Sequence, residues 1–280
     1  MTGVQTCALP ISSNNRDGEA KWRTWSGDVR GVRALGEAHT LTAGIHYHLD
    51  LGQTPDDEQF AWTDRTTGLR EKVSPDAAWD DIGLYLQDEW EAAEGLTVTG
   101  AARYDRFQFE SDVDGAYARY VGNPANKYPA GYDPETDAFS DSHQVFSGGL
   151  GAVYHIVHGV HLVGNYTRGF RLFPPRFGIV QTGYGVLVPE EFEDAITNDT
   201  FELGAKFNTE EFKGSAFVWY SAVDNWQTIA AGSYQGQDWF DFNANSVRDP
   251  GEDVYRTETG RAELYGFEAD GALRDRKSVV

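Results

Sequence analysis

Cysteine and methionine are almost missing from this chain, at one of each in 280 residues, Cys7 and Met1. No stretch approaches the roughly 18 consecutive apolar residues of a membrane helix. The mean hydropathy of −0.52 would, taken alone, suit a soluble protein. Positive charge is scarce as well. The 23 Lys and Arg stand against 44 Asp and Glu, a formal charge of −21, which disfavours nucleic-acid binding because phosphate contacts need a basic face. No nucleophile elbow, phosphate loop or cysteine–histidine constellation occurs. Paired carboxylates such as Glu190–Glu191 and Asp56–Asp57 fall in loops, with nothing to set them as an acid–base couple, so an enzyme is not expected.

The two ends do not read as part of a fold. Met1–Ile11 (MTGVQTCALPI) and Asp275–Val280 (DRKSVV) resemble translated sequencing-adapter DNA. The first has no basic n-region and no sustained apolar stretch, so it is not a signal peptide. The expected organisation is therefore two foreign segments, 1–11 and 275–280, around one domain at 12–274. Both Cys7 and Met1 lie in the first of these segments. Setting the segments aside removes only Asp275, Arg276 and Lys277 among charged residues, leaving 43 acidic and 21 basic and a charge of −22. A thiol-free domain suits passage through an oxidising compartment.

What the sequence does have is alternation. Runs of about ten residues with period-two hydrophobicity are predicted as strands at Arg23–Ala34, His39–Leu49, Asp80–Glu91, Leu96–Phe107, His143–His155, Val160–Arg168, Thr200–Phe207, Phe212–Val223 and Gly260–Leu273. Tight turns at Leu35–Ala38, Ala92–Gly95, Ile156–Gly159 and Asn208–Glu211 alternate with long acidic, aromatic loops at Asp50–Trp79, Phe109–Asp141, Gly169–Asp199 and Asp224–Thr257. Leu96, Val98, Gly100, Ala102 and Tyr104 share one face of their strand, and Thr97, Thr99, Ala101, Arg103 and Asp105 share the other. Glu202 and Lys206 likewise face opposite Phe201, Leu203, Ala205 and Phe207.

One face for lipid and one for water means an all-β fold, a transmembrane antiparallel up-and-down β-barrel. Short turns are expected in the periplasm and long loops outside the cell. Trp79, Tyr85, Trp90, Tyr104, Phe107, Tyr166, Phe170, Trp219 and Tyr220 collect near strand ends and are expected to form interfacial girdles. Nine strands cannot close an even-numbered barrel, so a partial barrel with aggregation-prone edges is expected.

Several stretches resemble one family. NYTRGFRLF at Asn165–Phe173 is followed by Pro174 and Pro175, then DTFELGAKF at Asp199–Phe207 and AELYGFEADG at Ala262–Gly271. Upstream come IGLYLQDEW at Ile82–Trp90 and LTVTGAARYDRF at Leu96–Phe107. In order and spacing they are similar to the distal barrel of TonB-dependent outer-membrane receptors. The resemblance implies a fragment of a 22-stranded barrel in the bacterial outer membrane. It also implies an N-terminal plug and TonB box lying outside this chain, and active uptake of a scarce nutrient, with a ferric siderophore as the expected cargo. The partners implied are that small ligand, the TonB complex and outer-membrane lipid. Haem receptors of this kind place a ligand histidine in the loop after the Arg-Pro box, and no histidine occurs between Leu172 and Thr200. A passive porin-like channel, or a barrel that only displays loops as an adhesin or enzyme, is the alternative.

Three sets of candidate site residues follow. DFNANSVRDPGE at Asp241–Glu252 matches the twelve-residue calcium loop, with Asp241, Asn243, Asn245, Asp249 and Glu252 as side-chain ligands and the Val247 carbonyl as the backbone one. It departs at Ser246, where that pattern has glycine. A structural Ca2+ is the only cofactor expected. Arg168, Arg171 and Arg176 surround Pro174–Pro175, where the rigid prolines and the family resemblance favour a structural clamp and Arg171 and Arg176 are candidates to meet an anionic ferric chelate or a plug carboxylate. Trp226, Tyr234, Trp239 and Phe240 are candidates to stack on a ligand. His155, His158 and His161 cluster at a turn and are read as a polar turn rather than a metal site.

Overall fold

The computed structural model describes residues 18–19, 23–51, 61–63, 68–72, 75–123, 128, 132–172, 180–181, 185–189, 194–242 and 245–273. In chain order the elements are β1 (Gly18–Glu19), β2 (Arg23–Leu35), β3 (His39–Leu51), β4 (Ala61–Thr63), β5 (Arg70–Lys72), β6 (Asp76–Ala93), β7 (Leu96–Asp112), α1 (Gly115–Gly122), β8 (Phe139–Val157), β9 (Val160–Arg171), β10 (Val180–Gln181), β11 (Val186–Leu187), β12 (Ile196–Asn208), β13 (Phe212–Ala231) and β14 (Val254–Leu273). A 3-10 turn spans Pro134–Asp137. The nine long strands β2, β3, β6, β7, β8, β9, β12, β13 and β14 are antiparallel neighbours in that order. Beyond β14 the sheet continues through β11 and β10. All nine expected strands are present, and among the described residues the sheet does not close on itself, with β2 at one edge.

The turns sit where the sequence puts them. Gly95 and Gly159 take φ of 72° and 76°, a left-handed conformation that a Cβ penalises. A Cβ on Gly159 would also lie 2.7 Å from the Asn208 carbonyl oxygen of the neighbouring turn. The strands overrun their expected ends on the loop side. β13 and β14 stay paired from Trp226↔Gly260 to Ala231↔Tyr255, and β8 begins at Phe139 rather than His143. Alternation fades where both faces meet water, whereas ladder hydrogen bonds need no apolar face.

Register sorts the two faces. Ile45, Leu84, Tyr104 and Phe146 lie side by side across β3, β6, β7 and β8. Leu150, Tyr166, Phe201, Tyr220 and Tyr265 form a second row across β8, β9, β12, β13 and β14. These side chains are largely exposed, Tyr265 by 81% and Leu84 by 51%, as a lipid-facing surface must be in the absence of lipid. Immediately beyond the second row on the loop side, Arg168 pairs with Asp199 at 2.7 Å, and the Tyr166 hydroxyl donates to the same carboxylate. The apolar band ends there.

The girdle expectation needs correcting, because position near a strand end does not decide the face. Trp90, Tyr104, Tyr166 and Tyr220 do face outward. Tyr85 lies on the opposite face, with its hydroxyl donating to Asp28 at 3.3 Å, and Trp219 lines a recess on the concave side. Trp79, Phe107 and Phe170 pack edge to face in a buried cluster with Val145 and Ala195 near the loop end.

Candidate functional site

Three of the long loops meet in one apolar core at the loop end of the sheet. Val186 and Val188 come from the β9–β12 connection, Phe240 from the β13–β14 connection, and Val254 opens β14; all four are buried. Tyr128 and Tyr132 of the β7–β8 connection, with Tyr234 and Phe242, pack against them. Rings run in sequence from Tyr120 through Tyr128, Tyr132 and Tyr234 to Phe240, at centroid separations between 5.3 and 6.4 Å. Ring pairs at such distances add to plain area burial. The β9–β12 connection reaches this core by passing over β12 and β13: β11 pairs parallel with β14 through Val186↔Val254, and the Val186 N–H donates to the Asp253 carbonyl at 2.7 Å.

A polar frame supports the cap. Asp114 caps α1, accepting from the N–H groups of Ala116 and Tyr117 at 2.9 Å each, as an N-cap carboxylate does. Lys72 of β5 is 3% exposed and sits between Asp76 at 2.6 Å and Asp114 at 2.8 Å. Beside it the Asn123 amide donates to Glu71 at 2.7 Å. Burial pushes the Asp114 carboxyl upward, but the Lys72 ammonium and the two helix N–H groups outweigh it and hold the group below the usual carboxylate range. On the other flank of α1, buried Tyr117 donates to Asp137 at 2.5 Å and Tyr132 donates to the same oxygen at 2.8 Å. Burial first pushes both phenols far above their ordinary range, followed by the neighbouring Tyr128 phenol for Tyr117 and by the Asp137 charge for Tyr132. No periodic run in the sequence marks α1 or this Lys72–Asp114 and Tyr117–Asp137 frame. The Asp114-to-helix cap was the signal available.

The predicted site residues are only partly brought together. Tyr234 stands in the cap core, and half-buried Trp239 bridges to Asp253. Trp226 is elsewhere: it follows a bulge at Asn225, whose φ is 57°, and is 49% exposed on β13. Arg171 ends β9 opposite Ile196. Arg176, Pro174 and Pro175 lie outside the described residues. Arg168 fastens β9 to β12 through its ion pair with Asp199.

In the Asp241–Glu252 loop, Ser246 takes φ of 59°, so the serine adopts the left-handed turn that the calcium pattern assigns to glycine. The Asp241 carboxylate accepts the N–H groups of Asn245 and Ser246 at 3.1 and 2.7 Å. Glu252 accepts those of Phe242 and Asp249 at 3.1 and 2.9 Å. The first and last ligand positions therefore converge on one loop, each engaged with backbone. Asn243 lies outside the described residues. Among the described residues, no three carboxylate, imidazole or thiol groups converge closely enough to hold a metal.

The concave face carries a recess of about 410 Å³, lined by Thr97, Thr99, Asn165, Glu202, Lys206, Trp219 and Glu268 among others. One register row contributes Thr99, Gly151, Asn165, Glu202, Trp219 and Gly266. Gly266 is required under the indole, since a Cβ there would lie 2.6 Å from the Trp219 ring. Glu202 and Lys206 both line it, on the face opposite the exposed Phe201 and Leu203.

Comparison with known proteins agrees with this geometry. The family model "TonB dependent receptor-like, beta-barrel" matches residues 7–276. No curated protein matches by sequence. Among solved structures, the chain is similar to the FrpB iron transporter of Neisseria meningitidis, with TM-score 0.56 and 16% identity over 92% of this chain and 34% of that one. It is similar also to the siderophore receptor PirA of Pseudomonas aeruginosa, with TM-score 0.57 and 13% identity over 90% and 40%. A third is the hemophore receptor HasR of Serratia marcescens, solved with its hemophore HasA and heme, at TM-score 0.59 and 15% identity over 91% and 40%. The chain thus spans about a third to two-fifths of the length of these structures. With a lipid-facing band, a polar concave face and a family match over nearly all its length, this chain belongs to the TonB-dependent receptor β-barrel family of the bacterial outer membrane.

Proposed function

We propose that this chain forms the ligand-capturing wall of a receptor for energised uptake of a scarce nutrient, with a ferric siderophore as cargo. The observation that carries the reading is the aromatic cap built from three loops on strands that overrun the apolar band. A cap of this kind offers preordered aromatic surface to a planar chelate at low entropic cost. Trp239 and Trp226 would stack on the ligand, and Arg171 and Arg176 would meet its negative charge. The absence of histidine from 173 to 199 argues against haem. TonB, acting through a plug outside this chain, and outer-membrane lipid are the remaining partners of the proposal.

The test uses the full-length receptor in cells and a panel of iron-55 chelates. Uptake of one chelate that stops when an uncoupler collapses the inner-membrane gradient, and that weakens at least tenfold in Trp239→Ala, is the expected result. Uptake indifferent to the uncoupler would replace this reading with a passive channel. Calcium occupancy of the Asp241–Glu252 loop is part of the same proposal, supported by the left-handed Ser246. Millimolar Ca2+ should slow proteolytic cleavage after Arg248, an effect that Glu252→Gln abolishes; equal cleavage with and without the ion refutes it.

A further inference from the structure

The histidines at the turn between β8 and β9 do more than decorate it. His155 and His161 are direct cross-strand partners, with ring centroids 4.2 Å apart. Their neighbours Tyr154 and Leu162 face outward, so by alternation this pair faces the concave side, one step toward the turn from Val153 and Val163 of the recess. Three other histidines lie beside carboxylates: His39 at 2.8 Å from Asp88, His48 at 3.0 Å from Asp50 and His46 at 3.7 Å from Asp81, the last beyond hydrogen-bond reach. Among the described residues, by contrast, neither the His155 nor the His161 imidazole has a hydrogen-bond or ion-pair partner, and both residues retain contact with solvent.

From these observations we propose that His155 and His161 form a two-nitrogen chelate for a divalent transition metal at the turn end of the concave face. Imidazole nitrogens bind such ions at about 2.0–2.1 Å, so two rings already 4.2 Å apart can converge on one ion by side-chain rotation while the strand ladder stays fixed. Because no third protein group closes the sphere among the described residues, water fills the remaining positions and the ion exchanges readily. Cu2+ heads the affinity order for nitrogen ligands and is the probe of choice. Lys206, the cross-strand partner of His161 on β12, places a positive charge nearby and weakens the site without blocking it. The inference is independent of the cargo, since it concerns binding by the isolated chain and not transport.

The experiment titrates Cu2+ into the full chain in detergent, with glycine as competitor, and follows electron paramagnetic resonance. One equivalent with hyperfine structure from two imidazole nitrogens is expected. His161→Gln and His155→Gln should each reduce the pattern to one nitrogen. Each should also weaken binding by at least about tenfold, since loss of even an outer partner of a ligand costs roughly 10- to 100-fold. His39→Gln should leave both readouts unchanged. If His161→Gln retains the two-nitrogen spectrum, or if the wild-type spectrum shows a single nitrogen, the chelate does not exist. Circular dichroism of each variant separates loss of the site from loss of the sheet.

Discussion

Replacing Phe240 with alanine should release three loops at once. Phe240 is only 6% exposed and belongs to the buried cluster formed by Val186, Val188 and Val254, against which Tyr132 of the β7–β8 connection also packs. A buried Phe→Ala change costs about 3–5 kcal/mol, and each 1.4 kcal/mol is about a factor of ten in an opening equilibrium. Amides whose exchange requires the cap to open should therefore exchange roughly 10²- to 4 × 10³-fold faster. Hydrogen exchange read by mass spectrometry on the detergent-solubilised chain gives the result segment by segment. The segments around Tyr132, Val188 and Phe240 should accelerate together, while the centres of β7 and β12 keep their rates, because their ladders do not depend on the cap. Acceleration confined to the segment around Phe240 would refute a shared core and leave three independent loops.

Leu203, 61% exposed on the outward face, should tolerate arginine poorly: Leu203→Arg is expected to cost about 2–4 kcal/mol in bilayers if it lies near mid-membrane. Thr97→Arg on the concave face should leave the denaturation midpoint in the same liposomes unchanged. Lys72→Met should undock α1, because it leaves the Asp76 and Asp114 carboxylates facing each other; the amides of Ala116 and Tyr117 report it by exchange. Asp114 adds a pH signature. Its folded pKa is below its unfolded value of about 3.8, so its contribution is complete above that value and disappears as pH falls through the folded pKa. Protection of α1 should fall below about pH 4, and Asp114→Asn should flatten that dependence. Tyr117→Phe should cost about 1–3 kcal/mol in cap stability by taking one of two phenols from the buried Asp137 oxygen, read from the same amides; an unchanged exchange rate would show that Tyr132 suffices.

The nine strands were legible because a lipid-facing sheet imposes strict alternation, and residues such as Phe201, Leu203 and Ala205 carry it without interruption. Strand ends on the loop side were not, since Thr257–Gly260 pairs through its backbone while its side chains show no apolar period. Place near a strand end does not decide an aromatic's face, whereas parity does: Tyr85 lies between the exposed Leu84 and Leu86 and so points to the opposite side. The cap was invisible for another reason. Val186, Phe240 and Tyr132 are far apart in sequence and belong to no periodic run, and their meeting depends on the parallel pairing of β11 with β14, a non-local event no local signal encodes. The calcium pattern is a spacing of residue types along one loop, visible in the sequence with its departure at Ser246, and that serine takes a φ of 59°. The histidine pair needed register before His155 and His161 could be seen to face each other.

The row running from Leu150 to Tyr265 also fixes a height. From Tyr220 in that row to Ala231 at the end of β13 there are about eleven steps of roughly 3.4 Å, which at a tilt near 40° lift the strand tip on the order of 30 Å above the aromatic belt. That elevation exceeds the headgroup layer of a bilayer, which adds only about 5–8 Å on each side of the hydrocarbon. The paired tips of β13 and β14, with β11 alongside β14 at Val254 and Tyr255, thus stand as a stiff mast clear of the lipid surface. A molecule approaching from outside would touch the loops they carry before it could reach the membrane plane.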